Sequence, residues 1–109
     1  LITGDNNPLH IDSSYAKSKG FQGEVVYGML VASFYSTLVG CYLPGKYCLL
    51  QGVDTQFVSP VFVGDVLVVT GKVSYINTSF KQIEIKASIT RAGDKKVSRA
   101  KIKVGMLDE

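Results

Sequence analysis

The sequence predicts an α+β domain in which a curved antiparallel sheet wraps one long helix, and three observations carry that expectation. Met29 to about Leu43 reads MLVASFYSTLVGCYL, apolar on nearly every helical face, as in a helix surrounded by protein. Four strand-like runs follow, separated by turn signals at Val63-Gly64-Asp65, Asn77-Thr78-Ser79 and Ala92-Gly93-Asp94. The chain has 109 residues, enough for a single globular unit and no second one.

Taken in order, the front of the chain is rich in turns. Asn6-Asn7-Pro8 is a turn signal, because proline pushes the preceding residue toward extended backbone and Asn tolerates tight turns. Residues 3–11 are therefore expected as a loop. Asp12 or Ser13 can cap a short helix from Ser14 to Lys19, which Gly20 ends by accepting a left-handed conformation. In the 29–43 run nothing breaks the pattern before Pro44, so its length favours helix over strand. Only Ser33, Ser36, Thr37 and Gly40 interrupt its apolar surface, and small residues there would let a sheet approach closely.

The back half reads as an antiparallel meander. Between Cys48 and Val63 the pattern is irregular, and Pro60 signals an edge, a bulge or a strand end. The third run is cleanest: Ile83, Ile85, Ala87 and Ile89 alternate with Gln82, Glu84, Lys86 and Ser88, giving one buried and one wet face. The last repeats this, with Ala100, Ile102, Val104 and Met106 inward.

Composition narrows the function classes. Hydrophobic residues are 46% and charged residues 19% of the chain, and no apolar run approaches the ~20 residues of a membrane helix. A net charge of +3 is too weak to imply nucleic acid unless concentrated on one face. Cys41 and Cys48 cannot build a disulfide scaffold, and with no signal peptide in view the expectation is free thiols in a reducing cytoplasm. One histidine and two cysteines do not make a metal-ligand set. The charge is uneven: residues 1–64 hold three basic and four acidic side chains, residues 65–109 nine and five. Lys95, Lys96, Arg99, Lys101 and Lys103 concentrate it. Such a stripe could meet the phosphates of a ligand or an acidic partner; the plainer reading is a solvated edge strand kept soluble by lysines.

One pair could carry chemistry. His10, the single histidine, follows Asp5 by five residues in the turn-rich front. Fully extended, that separation would be about 17 Å, so the two side chains meet only if Asn6-Asn7-Pro8 turns the chain. Facing one small space, an imidazole that titrates near neutrality and a carboxylate that accepts and orients could hold a water and share its protons. Alone, such a pair is more often a loop histidine bonded to a capping aspartate.

Its surroundings shift that balance. Residues 2–16, ITGDNNPLHIDSSYA, resemble the signature of the MaoC-like dehydratases, the R-specific enoyl-CoA hydratase or hydratase 2 family, through Gly4, Asp5, Asn7, Pro8, Leu9, His10 and Ala16. A second block follows at the family's spacing: Gly20-Phe21, Val26-Tyr27-Gly28-Met29-Leu30, Ala32-Ser33 and Ser36. Leu43-Pro44-Gly45 and Phe57-x-x-Pro60-Val61-Phe62-Val63-Gly64-Asp65 also look like short bacterial members.

This resemblance implies a hot-dog fold, an acyl-CoA thioester substrate, no cofactor beyond that substrate, no nucleic-acid or membrane partner, and a homodimer or higher oligomer. It implies reversible hydration of a trans-2-enoyl-CoA to the (3R)-3-hydroxyacyl-CoA. Asp5 and His10 are then the catalytic pair. Gly28 becomes the donor to the thioester carbonyl, since unpaired N–H groups and the positive end of the dipole gather at a helix start. Ser36 and Asn7 become supporting residues, Asn7 shaping the loop. Tyr27 departs from the many relatives with His before the glycine, a change that bears on substrate preference and local hydrogen bonding. Dehydration of a 3-hydroxyacyl-carrier-protein, or of a branched or dicarboxylic 3-hydroxyacyl-CoA, and a non-catalytic acyl-CoA-binding module are the alternatives. The resemblance also implies a single domain over residues 1–109 that starts almost at the catalytic loop, short of a first strand and helix by about 20–30 residues at ordinary element lengths.

Overall fold

In the computed structural model, which describes residues 4–91 and 95–107, the front of the chain is organised by capping. Asn7 accepts the Leu9 N–H on its side-chain oxygen at 2.9 Å, and with Pro8 in the first position this starts α1, Pro8–Ile11. Proline suits that place because its missing N–H would be unpaired there anyway. The expected loop over residues 3–11 therefore contains one helical turn, and its first residue lies outside the described residues. Asp12 then caps α2, Ser13–Ser18, by accepting from Tyr15 N–H at 3.1 Å. Gly20 follows at φ +91°, the left-handed conformation expected of it.

The long helix is α3, Gly28–Cys41. Its buried residues are Val31, Tyr35 and Val39, one stripe at a spacing of four, as helical geometry requires of a face turned to a core. Met29 and Tyr42 are 71% and 76% exposed, and Leu30 and Phe34 also reach solvent. The expectation of a helix enclosed on all sides is thus corrected: within one chain a single sheet covers a single face. The small residues are corrected with it, since Ser33, Ser36, Thr37 and Gly40 all lie on the open side. Close approach is supplied by the sheet. A Cβ added at Gly71 would stand 2.7 Å from a Leu38 methyl, so only glycine lets the strand lie this near the helix.

The strands are β1, Cys48–Phe57; β2, Leu67–Asn77; β3, Gln82–Arg91; and β4, Lys95–Met106. All pairings are antiparallel, in the order β1-β4-β3-β2. Only β2 to β4 form a meander; β1 lies at the far edge beside β4, which corrects the simple four-strand meander. The expected turn at residues 92–94 lies outside the described residues. Because α3 contacts both edge strands, β1 and β2, the sheet curls around the helix, as in the hot-dog fold. Ile85, Ile89, Ile102 and Val104 are fully buried beneath it, and burying each such side chain favours folding by roughly 1.5–3 kcal/mol.

Among the described residues, Ser98 is the one polar residue in the buried core. It is fully buried where the β3–β4 register shifts; it accepts from the Tyr35 hydroxyl at 2.8 Å and lies 3.1 Å from the Thr55 hydroxyl. This chain of hydroxyls ties helix, β1 and β4 together, which offsets the cost of burying them. Residues 58–66 then run from the β1 edge to the β2 edge and pass the start of α3, where Val26 N–H donates to the Val61 carbonyl at 2.7 Å.

Candidate active site

His10 stands at the end of the α1 turn that Asn7 and Pro8 start. Its Nδ1 lies 2.7 Å from the carbonyl oxygen of Val25. A carbonyl can only accept, so Nδ1 carries the proton and, in the neutral ring, Nε2 carries the lone pair. Nε2 is 3.7 Å from Asp5 Oδ2. The Asp5 carboxylate is positioned in turn by Asn7, whose N–H donates to Asp5 Oδ1 at 3.3 Å. Asn7 thus turns the chain with its side chain and holds Asp5 with its backbone.

A separation of 3.7 Å is too long for a direct hydrogen bond, and the imidazole is 18% and the carboxylate 40% exposed. A water resting on both atoms could bond each of them. Tyr27 presents its ring to His10 at a centroid distance of 6.0 Å, tilted by 62°.

His10 opens into a cleft of about 400 Å³, whose walls include Phe21, Val26, Val31, Phe57, Val58 and Val61. That volume is within the ~300–1,000 Å³ of small-molecule sites, and the lining is mainly apolar with few polar groups. Gly28 is on the same wall and is the first residue of α3, after Tyr27 as N-cap. Its N–H belongs to the helix turn that has no intrahelical acceptor. A Cβ at Gly28 would meet the Phe57 ring at 3.2–3.4 Å, so the ring is packed against the bare backbone.

The fold therefore brings together three of the residues singled out from sequence, with Asp5 and His10 facing one another and Gly28 sharing the cleft with the imidazole. Asn7 stands behind Asp5. Ser36 does not join them: it is exposed on α3, two turns beyond Gly28, and does not line the cleft. Two further groups help build the site. The Val25 carbonyl that orients His10 is a backbone group, for which residue identity carries no signal, and Phe57 reaches Gly28 only through the end of β1. The basic stripe lies elsewhere: Lys86, Lys96, Arg99 and Lys101 line a second concavity, of about 420 Å³, formed by β1, β3 and β4. Among the described residues no three His, Cys, Asp or Glu side chains converge as metal ligands, and no helix is long and apolar enough to cross a membrane.

This chain aligns with two curated (R)-specific enoyl-CoA hydratases over 64 and 92 residues. It is 45% identical over 64 residues to the (R)-specific enoyl-CoA hydratase of Aeromonas caviae, covering 59% of this chain and 48% of that protein. It is 32% identical over 92 residues to the (R)-specific enoyl-CoA hydratase of Rhodospirillum rubrum, covering 84% of this chain and 64% of that one. It thus spans about half to two thirds of the length of these curated relatives. The solved structure of the A. caviae (R)-hydratase involved in PHA biosynthesis superposes with a TM-score of 0.91 at 31% identity, over 96% of this chain and 80% of that chain. Residues 1–97 match the sequence profile described as the MaoC like domain. The chain belongs to the MaoC-like domain family.

Proposed function

We propose that this protein is an R-specific enoyl-CoA hydratase, a hydro-lyase that adds water reversibly to a trans-2-enoyl-CoA to give the (3R)-3-hydroxyacyl-CoA. The observation that carries the reading is the pairing of His10 Nε2 with Asp5 Oδ2 across 3.7 Å beside an apolar cleft. The two relatives named (R)-specific enoyl-CoA hydratase support it.

In this reading the acyl chain occupies the apolar cleft and the thioester oxygen accepts from the Gly28 N–H. Water held by Asp5 and His10 attacks C3; between them the two groups remove a proton from the water and return one to C2 on the same face. Negative charge moves onto the thioester oxygen during the attack, so a donor fixed there stabilises the transition state more than the substrate. The Val25 carbonyl keeps the His10 proton on Nδ1, leaving Nε2 able to accept. Asn7 supports the pair by holding Asp5. CoA enters as part of the substrate, and the chemistry calls on no other cofactor.

The exposed apolar side of α3, with Met29, Leu30, Phe34 and Tyr42, fits a homodimer in which a second copy covers the helix. Sedimentation at micromolar concentration tests this; a monomer throughout would exclude it.

The activity is tested by following the enoyl absorbance of crotonyl-CoA with wild type, Asp5→Asn and His10→Ala. Wild type is expected to hydrate it, and each variant to lose about 10²–10⁴-fold in kcat, the range of general acid–base catalysis. Variants as fast as wild type would sink the mechanism. Faster turnover of the same acyl group on a carrier protein would move the assignment to a carrier-protein dehydratase.

A further inference from the structure

The segment from Pro60 to Asp65 stands outside the reaction as described, yet it is bonded at several points. Arg91, the last residue of β3, donates from Nη1 to the Pro60 carbonyl at 2.9 Å and lies 3.8 Å from Asp65 Oδ2. The same Asp65 oxygen accepts from Phe62 N–H at 2.9 Å, and Asp65 N–H donates back to the Phe62 carbonyl at 3.0 Å. The Arg91 guanidinium also rests over the Phe62 ring, 5.6 Å from its centroid. Both charged side chains are more than three-quarters buried, so this pair is less screened than a surface one.

What the segment holds is the stretch at Val25 and Val26 that orients the histidine. Phe62 bridges to Val25, and Val61 accepts from Val26 N–H at 2.7 Å. Val25 in turn donates its N–H to the Leu9 carbonyl at 2.9 Å and accepts from His10 Nδ1 at 2.7 Å. From Arg91 to the imidazole every link is a hydrogen bond, an ion pair or a strand bridge.

Resting on the catalytic reading of His10, we infer that Arg91 and Asp65 are positioning residues: they brace the Pro60–Asp65 segment so that the Val25 carbonyl holds His10 in its Nδ1–H tautomer, with Nε2 turned to Asp5. A planar guanidinium suits this task because one side chain reaches a carbonyl, a carboxylate and a ring face together. Without it the segment can shift by a fraction of an ångström, the 2.7 Å bond lengthens, and the proton can move to Nε2, where the ring no longer accepts from water.

The chain has one histidine, so ¹⁵N NMR reads this tautomer without ambiguity. The experiment records the imidazole nitrogens at alkaline pH, where the ring is neutral, for wild type, Arg91→Ala, Asp65→Ala and Arg91→Lys, together with kcat and KM on crotonyl-CoA. Wild type is expected to show protonated Nδ1 and unprotonated Nε2. In Arg91→Ala and Asp65→Ala the two signals should move toward one another and kcat should fall by about tenfold, more than KM changes, as a small misplacement of a reacting group would do. Arg91→Lys keeps a cation beside Asp65 and one donor for Pro60, and should retain the wild-type tautomer and most of kcat. If Arg91→Ala does not fold, Asp65→Ala carries the same readout. A folded alanine variant that keeps the wild-type nitrogen signals overturns the brace. A wild type without hydratase activity whose alanine variants still shift the tautomer supports the brace and overturns the catalytic reading.

Discussion

Residues 5–27 and the sheet of residues 48–106 are held by different forces, and the contrast separates activity from stability. In the front segment only Ala16 and Val25 are buried, and conformation rests on side-chain caps and backbone bonds: Asn7 on Leu9, Asp12 on Tyr15, His10 on Val25. In the sheet, Ile85, Ile89, Val97, Ile102 and Val104 are fully buried and enclosed by neighbours. Segments with little apolar burial open at low free-energy cost, so the region carrying the chemistry should contribute little to global stability. The sheet should do the reverse.

The sharpest way to break this separation is to mutate each side. His10→Ala should lose about 10²–10⁴-fold in kcat while its urea midpoint stays within the scatter of wild type; a large fall in stability would contradict the contrast. Ile102→Ala should lose about 2–5 kcal/mol in denaturant titration, through lost burial plus the cavity left behind, and keep its kcat wherever it is folded. Gly28→Ala sits on the boundary, because its new methyl would press on the Phe57 ring at 3.2 Å. Crowding of this kind costs about 1–3 kcal/mol in a tight core, and less here, since Phe57 is 49% exposed and can give. Activity should fall more than stability, and Phe57→Ala in the same chain should restore part of it.

Two smaller effects sharpen the account of the sheet. Burial pushes the Tyr35 hydroxyl above its ordinary range, opposed by its bonds with Ser98 and Thr55. The folded protein then keeps a proton that the unfolded chain gives up above about pH 10. Stability present below that pH should therefore decline as pH rises from there through the folded value. Comparing the melting temperature across that window in wild type and Tyr35→Phe checks the sign; the decline should be shallower in the variant. On the outer face, Lys72, Lys86 and Lys101 stand in one cross-strand row that ends at Asp54. Like charges opposite one another oppose pairing, so Lys86→Glu should raise stability by roughly 0.2–1 kcal/mol at low salt, and the gain should fade as salt is added.

Much of this was legible because it is local. The Asp12 cap and the Gly20 stop define α2, the alternation of Ile83, Ile85, Ala87 and Ile89 defines β3, and the unbroken apolar run defines α3. Local rules failed where a single residue served two ends. Asn6-Asn7-Pro8 read as a turn and is also a helix start, since the Asn7 oxygen that could close a turn caps Leu9 instead. Pro60 signals an edge, a bulge or a strand end, and β1 stops at Phe57, but nothing local says that the chain then crosses to the other edge of the sheet.

The sequence by itself therefore determined α2, α3 and the strand-rich back half, the inward face of each central strand, and the short block that carries Asp5, Asn7 and His10. Each of these depends on periodicity or capping over a few residues. Tertiary structure alone decided that β1 pairs with β4, that one side of α3 stays open, and that the Val25 carbonyl accepts the hydrogen bond from His10 Nδ1. Strand order depends on contacts between residues far apart in the chain, and every residue has the same carbonyl. Which one meets the imidazole is set by the crossing of residues 58–66 past the start of α3, and so by the fold as a whole.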